Sequence, residues 1–256
     1  MSTPLFAIEG VTKRYGGLTA VQGGSLALQA GEVVGLIGPN GAGKTTCFNL
    51  MTGADTVTEG CVRWQGDDIT ALRDWQRARL GMARTFQNIR LWTDLSVRDN
   101  VRTVCRAAAQ AGWLDGLLRT ARHRRVEAEV SARADALLER LGVGGLAGLR
   151  AGDLPYGPQR KLEIARALAL EPRLLLLDEP AAGMNPSEKA DLMQVVLGLR
   201  KDLGLTVLVI EHDMRFVMGI CERIVVLDHG ELIGQGTPDE VRRDPRVVAA
   251  YLGGGA

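Results

Sequence analysis

Short apolar segments dominate the first 37 residues, and the glycine pairs Gly16-Gly17 and Gly23-Gly24 separate them. Segments of this length between turn residues predict β-strands that are at least partly antiparallel. Glu32-Val33-Val34-Gly35-Leu36-Ile37 then reads as a buried strand that runs into a glycine-rich loop. From Val97 to Leu141 the period becomes helical: Val126, Val130, Ala134, Leu137, Leu138 and Leu141 share one face, with arginines and acids on the other. Gly142 suits a helix stop. After Leu154 strands and helices alternate again. Leu174–Leu177 and Leu205–Ile210 read as strands, and Ser187–Leu203 as a helix with Leu192, Val195, Val196 and Leu199 facing inward. This order predicts an α/β fold: a mostly parallel sheet covered by helices, antiparallel strands at the N-terminus, and a helical lobe inserted in the sheet domain.

Composition narrows the class. A chain of 256 residues that is 46% hydrophobic can bury a sizeable core. Lysine and arginine number 31 against 30 acids, and a net charge of +1 argues against a nucleic-acid binder that works through a global basic field. The apolar runs are strand-length and end at charges, so no transmembrane helix is expected, and Met1–Ile8 lacks the pattern of a secretory signal. Cys47, Cys61, Cys105 and Cys221 have neither metal-ligand nor redox spacing and read as reduced thiols. Cys47, just after the glycine loop, reads as a packed helix residue, with an alkylatable thiol as the alternative. Arg119, Arg122, Arg124 and Arg125 fit a solvated helix face better than a membrane or nucleic-acid patch.

The chemistry begins at Gly38-Pro39-Asn40-Gly41-Ala42-Gly43-Lys44-Thr45-Thr46, which matches G-x-x-x-x-G-K-[ST] between a strand and a helical pattern. Glycines let the backbone turn its N–H groups onto phosphate oxygens, and the following helix N-terminus favours an anion. Lys44 then brings a charge to the β- and γ-phosphates, and Thr45 a hydroxyl for Mg²⁺. The apolar strand Leu174–Leu177 delivers Asp178 and Glu179 at its end, the first to hold Mg²⁺ through its water shell and the second to polarise an attacking water. Two such acids alone also fit a solvated loop; beside a phosphate loop the chemical reading takes precedence. His212 follows the next strand and suits a γ-phosphate contact.

Together with Gln87 and Leu154-Pro155-Tyr156-Gly157-Pro158-Gln159, these elements resemble in order and rough spacing the ATPase subunits of ABC transporters, over nearly the whole chain. The resemblance implies an ABC-type P-loop ATPase domain over residues 1–256, with a nucleotide-binding core at 1–96 and 151–235, an α-helical lobe at 97–150 and a helical tail at 236–256. It implies ATP and Mg²⁺ as ligands. Tyr15 falls where the family stacks a ring on adenine, a contact worth about 1–3 kcal/mol. Gln87 falls where a glutamine touches Mg²⁺, and Gly157 and Gln159 where backbone N–H groups meet the γ-phosphate of ATP bound by the opposite subunit. The usual signature is Leu-Ser-Gly-Gly-Gln; Pro155 and Pro158 depart from it, and Asn185 stands where many relatives have aspartate.

Ala83–Leu91, Arg160–Leu168, Ala181–Pro186 and the tail Asp244–Gly253 are similar to the ATPases of high-affinity branched-chain amino-acid importers. That similarity implies a second ATPase subunit, a copy or a paralogue, two membrane permeases, indirectly a solute-binding protein, no nucleic acid, and a peripheral place on the cytoplasmic face of the membrane. The solute rests on resemblance alone, since no residue here would touch it; importers or exporters of urea, amides or lipids are the alternative. A non-transport ABC ATPase fits less well, because the chain has one ATP module and no sustained heptads. A GTPase fits poorly as well, because the sequence has no Asn-Lys-x-Asp to read guanine and Tyr15 suits adenine.

Overall fold

Residues Phe6–Tyr15 (β1) and Leu18–Leu28 (β2) pair antiparallel around Gly16-Gly17, with Tyr15 opposite Leu18. β3 (Val33–Ile37) is buried at every position and leads through the glycine loop into α1 (Lys44–Thr52). β4 (Glu59–Trp64) and β5 (Asp67–Asp68) complete a four-stranded antiparallel sheet in the order β2-β1-β4-β5. Then come α2 (Asp74–Arg79), β6 (Met82–Arg84), α3 (Val97–Ala108), α4 (Ala121–Arg140), α5 (Tyr156–Leu168), β7 (Leu174–Asp178), α6 (Pro186–Leu203), β8 (Thr206–Ile210) and α7 (Met214–Ile220). β9 (Arg223–Asp228), β10 (Glu231–Gly236), α8 (Pro238–Arg243) and α9 (Pro245–Gly253) follow. The structure, a computed structural model, describes residues 3–108 and 121–253.

The second sheet runs β10-β9-β3-β8-β7-β6, parallel throughout except for β10 against β9. β3, β7 and β8 are buried along their whole length, as a parallel sheet covered on both faces requires. The chain forms two compact units. One comprises Met1–Arg84, Arg173–Ala181 and Val196–Ala256, and the other Thr85–Pro172 and Ala182–Val195. The first contains both sheets and a core that includes Phe6, Leu28, Leu36, Phe48, Met51, Leu176 and Ile210. The second packs α3, α4 and α5 through Val101, Cys105, Val130, Ala134, Leu138 and Ile164.

Local signals explain the boundaries. Ser96 accepts the Asp99 N–H at 3.0 Å and so caps α3. α4 ends where Gly142 takes φ 69°, with Gly142 N–H bonded to Glu139 O and Val143 N–H to Leu138 O. Those crossed bonds are a Schellman closure, for which the left-handed residue is best a glycine. α6 begins at Pro186, one residue before the expected Ser187, because proline fits the first helical position. On the helical faces Val126, Leu137 and Val195 are only half-buried, while Val130, Ala134, Leu138, Leu141, Leu192, Val196 and Leu199 are buried. Arg119 and the side chain of Arg122 lie outside the described residues; Arg124 and Arg125 are exposed on α4.

Candidate functional site

The glycine loop is wedged between two strands. A Cβ on Gly38 would stand 2.0 Å from the carbonyl oxygen of Leu227 in β9, and one on Gly43 2.4 Å from that of Ala20 in β2. Any side chain at either position would push the loop off the sheet, so the sequence must place glycine there. Gly43, at φ 95°, turns the chain into α1, whose first-turn N–H groups have no intrahelical acceptors and carry the positive end of the helix dipole. Lys44 folds back so that Nζ donates to the carbonyls of Gly38 and Pro39, each at 2.8 Å. Burial holds its ammonium below the usual lysine range, against the opposing pull of the Glu179 carboxylate. Thr45 is exposed beside it, and Thr46 half-buried. In the tail, burial raises the Tyr251 phenol, an effect only partly offset by the nearby Gly38 backbone.

Asp178 ends β7 almost fully buried, and Glu179 follows at φ 46°, a left-handed conformation rarely taken by a side-chain-bearing residue. The Glu179 N–H donates to Ile210 O at 2.9 Å and holds this turn against the end of β8. Strain of this kind collects at functional sites. His212 Nδ1 lies 3.8 Å from Glu179 Oε1, at the edge of ion-pair range. Sequence reading passed over Glu211. Its fully buried carboxylate accepts the N–H groups of Ala181 at 2.7 Å, His212 at 3.0 Å and Asp213 at 3.2 Å, so it ties the turn after Glu179 to the one at His212. An acid at the end of an otherwise apolar strand was the available signal.

Tyr15 exposes 47% of its surface, enough to leave a ring face open. Its hydroxyl donates to Asp55, which also takes Lys13 Nζ at 2.6 Å, and Lys13 Nζ sits 4.9 Å from the ring centroid. Burial pushes the Asp55 carboxyl up, but its bonds from Lys13 and Tyr15 outweigh that and hold it below the ordinary range. Lys13 and Asp55 thus orient the ring, and nothing in their sequence context marked them.

The other expected residues belong to the second unit. Gln87 is exposed, and its carbonyl accepts Arg160 Nη2 at 2.9 Å. Arg160 is fully buried; Nη1 reaches Phe86 O and Glu163 Oε2, both at 2.6 Å, and Glu163 Oε1 takes the Phe86 N–H at 3.1 Å. Burial pushes the Glu163 carboxyl up, against the pull of Arg160. Pro155 caps α5 with φ −58° and ψ 160°, and Gly157 is its second helical residue, with an N–H that has no intrahelical acceptor. Gln159 must be corrected. Its N–H already closes the first turn on Pro155 O at 3.1 Å and its side chain donates to Leu154 O at 2.9 Å, so that backbone N–H is not available to a phosphate. Asn185 accepts the Glu188 N–H at 3.0 Å while Glu188 Oε2 accepts the Asn185 N–H at 2.9 Å. This reciprocal cap opens α6, and asparagine serves it as well as aspartate does.

The thiol of Cys47 is buried and pushed up to about 12 by desolvation, which settles it as a packing residue. A magnesium ion fits the donors of the first unit: the Thr45 hydroxyl and the Asp178 carboxylate are hard oxygen ligands. Among the described residues no cluster of three or more His, Cys, Asp or Glu could cage a metal. Mg²⁺ characteristically relies on one or two protein oxygens plus substrate phosphates.

Comparison with known proteins agrees with this geometry. Residues 21–182 match the family described as ABC transporter, and residues 231–256 the family described as branched-chain amino acid ATP-binding cassette transporter. The chain is 45% identical over 253 residues to the high-affinity branched-chain amino acid transport ATP-binding protein LivG of Salmonella typhimurium, covering 99% of each. It is similar in structure to the ADP conformation of MJ1267, an ATP-binding cassette of an ABC transporter, with TM-score 0.83, 30% identity and coverage of 97% of this chain and 98% of that one. It is also similar to a dimeric post-hydrolysis cassette, MJ0796, bound to ADP and Pi, with TM-score 0.77, 26% identity, and coverage of 91% and 98%. No helix among the described residues is long and apolar enough to cross a membrane.

Proposed function

The chain belongs to the ABC transporter ATP-binding family, and from that premise we propose that it spends ATP to drive the import of branched-chain amino acids. The observation that carries the nucleotide half of this reading is the wedged loop, with Gly38 and Gly43 each against a strand carbonyl and Lys44 at the start of α1. The solute half is supported by the full-length likeness to a branched-chain amino acid transport protein and by the matching tail.

In this reading the α1 N–H groups and Lys44 neutralise the phosphates, and the Tyr15 ring, steadied by Asp55 and Lys13, stacks on adenine. Thr45 and Asp178 hold Mg²⁺, with Gln87 as a further oxygen; when bound, the ion offsets charge on the β- and γ-phosphates. Glu179 takes the proton of the attacking water, and His212 hydrogen-bonds the γ-phosphate. Gly157 offers its N–H to the ATP of a second subunit, as pairing in the dimeric relative suggests. The partners are that second ATPase, a copy or a paralogue, two permeases and indirectly a solute-binding protein. The pair sits at the cytoplasmic face of the membrane, and the helical lobe at 97–150 docks on the permeases.

Uptake of labelled leucine by cells whose own copy is replaced by this chain and its permeases tests the reading. Uptake is expected with wild type and lost with Lys44→Ala. A wild-type complex that hydrolyses ATP yet accumulates no branched-chain amino acid would overturn the solute assignment.

A further inference from the structure

We propose that Arg84 is a positioning residue for the magnesium site, a clamp that fixes the distance and angle between the helix carrying Thr45 and the strand carrying Asp178. The inference rests on the reading of those two residues as Mg²⁺ ligands.

Arg84 is the last residue of β6 and pairs with Leu176 in the parallel ladder to β7. Asp178 is two residues further along, on the same face of the sheet because side chains alternate along a strand. The guanidinium Nη2 lies 3.4 Å from Asp178 Oδ2. Its other arm, Nη1, donates to Asn49 Oδ1 and Thr52 Oγ1, both at 3.0 Å. Its plane lies over the Phe48 ring, with Cζ 5.1 Å from the centroid. Asn49 and Thr52 are on α1, four and seven residues beyond Thr45, and so on the same helix face as Thr45. One planar, rigid fork therefore touches both elements that carry the expected metal ligands. The Arg84 and Asp178 side chains retain only 15% and 7% of their exposure, so solvent screens this contact little.

The contact between Arg84 and Asp178 is also a loose one. At 3.4 Å its contact with Asp178 is longer than the roughly 2.7–2.9 Å of a tight charge-assisted bond. The guanidinium thus bears on the carboxylate's orientation through a contact longer than a tight ion pair. Outer partners of metal ligands act in this way, by holding the ligand's orientation. Lysine could supply the charge but not the planar two-armed reach.

The test is equilibrium binding of a fluorescent ATP analogue to the full-length subunit, titrated with Mg²⁺ and repeated in EDTA. Arg84→Met and Arg84→Lys should each raise the half-saturating Mg²⁺ concentration about 10-fold, while binding in EDTA stays unchanged. Asn49→Ala, which removes one anchor of the clamp, should shift it in the same direction by a smaller factor, and it decides the matter if Arg84→Met does not fold. Four results overturn the clamp: an unchanged or lowered Mg²⁺ requirement in Arg84→Met, wild-type behaviour of Arg84→Lys, an unchanged requirement in Asn49→Ala, or parallel loss of binding in EDTA. Asp178→Asn separates the two levels. If it raises the Mg²⁺ requirement and Arg84→Met does not, the clamp alone fails; if it too has no effect, the metal reading fails with it.

Discussion

Arg160 Nη2 donates to the carbonyl oxygen of Gln87 at 2.9 Å, from a side chain with no exposed surface. The helix that begins the signature segment thereby grips the loop of the expected magnesium-sensing glutamine. The same guanidinium neutralises Glu163, whose carboxyl is buried. Arg160→Met should therefore cost about 3–5 kcal/mol, chiefly because it strands the Glu163 charge. Urea unfolding of the isolated subunit measures this. The double change Arg160→Met with Glu163→Leu should recover much of the loss, whereas full stability in the single variant would deny the pair its structural role.

Thiol reactivity follows from burial. Cys47 and Cys221 are buried with thiols pushed up to about 12, and Cys105 is buried and raised as well. Cys61 is half-exposed; desolvation and its bond to Glu9 raise it. Since the thiolate is the nucleophile, a chromogenic disulfide reagent at pH 8 should modify only Cys61 in the native chain, and slowly. All four thiols should react after denaturation. Rapid labelling of Cys47 in the native protein would contradict the packing at α1.

The adenine platform should have an acid limb. The Asp55 carboxyl is held below its ordinary value of 3.8, so its contribution to stability is fully present above that pH. The contribution is lost as the pH falls from there through the lowered folded-state value. Asp55→Asn should flatten that part of a melting-temperature profile and weaken ATP binding at neutral pH, because Tyr15 loses its anchor. A profile identical to wild type would show that the carboxylate is not held by Lys13 and Tyr15.

At the signature, Pro155→Ser should leave turnover in the assembled transporter within a few-fold of wild type, since Pro155 caps α5 through its backbone conformation and not through a side chain. Gly157→Asp should abolish turnover while the lone subunit still binds ATP. A Cβ there would stand 2.6 Å from Glu188 Oε1, the end of a movable side chain. Adding Glu188→Gln should not restore activity if the phosphate of the partner's nucleotide is the group repelled. Recovery in the double variant would instead place the defect within this subunit.

Much of this was legible because the chemistry is local. The loop Gly38–Thr46, the acids after Leu177 and His212 each sit at the end of a buried strand, and an apolar run announces such strands. The supporting residues were not legible. Lys13 and Asp55 are 42 residues apart and Arg84 and Asp178 are 94 apart, so only folding brings them together. Gln159 was misassigned because position in a motif does not reveal which N–H groups the helix itself consumes; the bond to Pro155 O does. The helix start expected at Ser187 and the strand start expected at Leu205 moved by one residue, because periodicity does not fix the ends of elements.

Glu179 carries the central claim, that this chain cleaves ATP through a carboxylate held in a strained turn beside Lys44 and His212. The direct measurement is the ATPase rate of the assembled transporter carrying Glu179→Gln, beside nucleotide binding to the isolated subunit. Turnover should fall about 10²–10⁴-fold, the usual cost of losing a general base, with ATP affinity unchanged. Turnover near the wild-type rate would contradict the account.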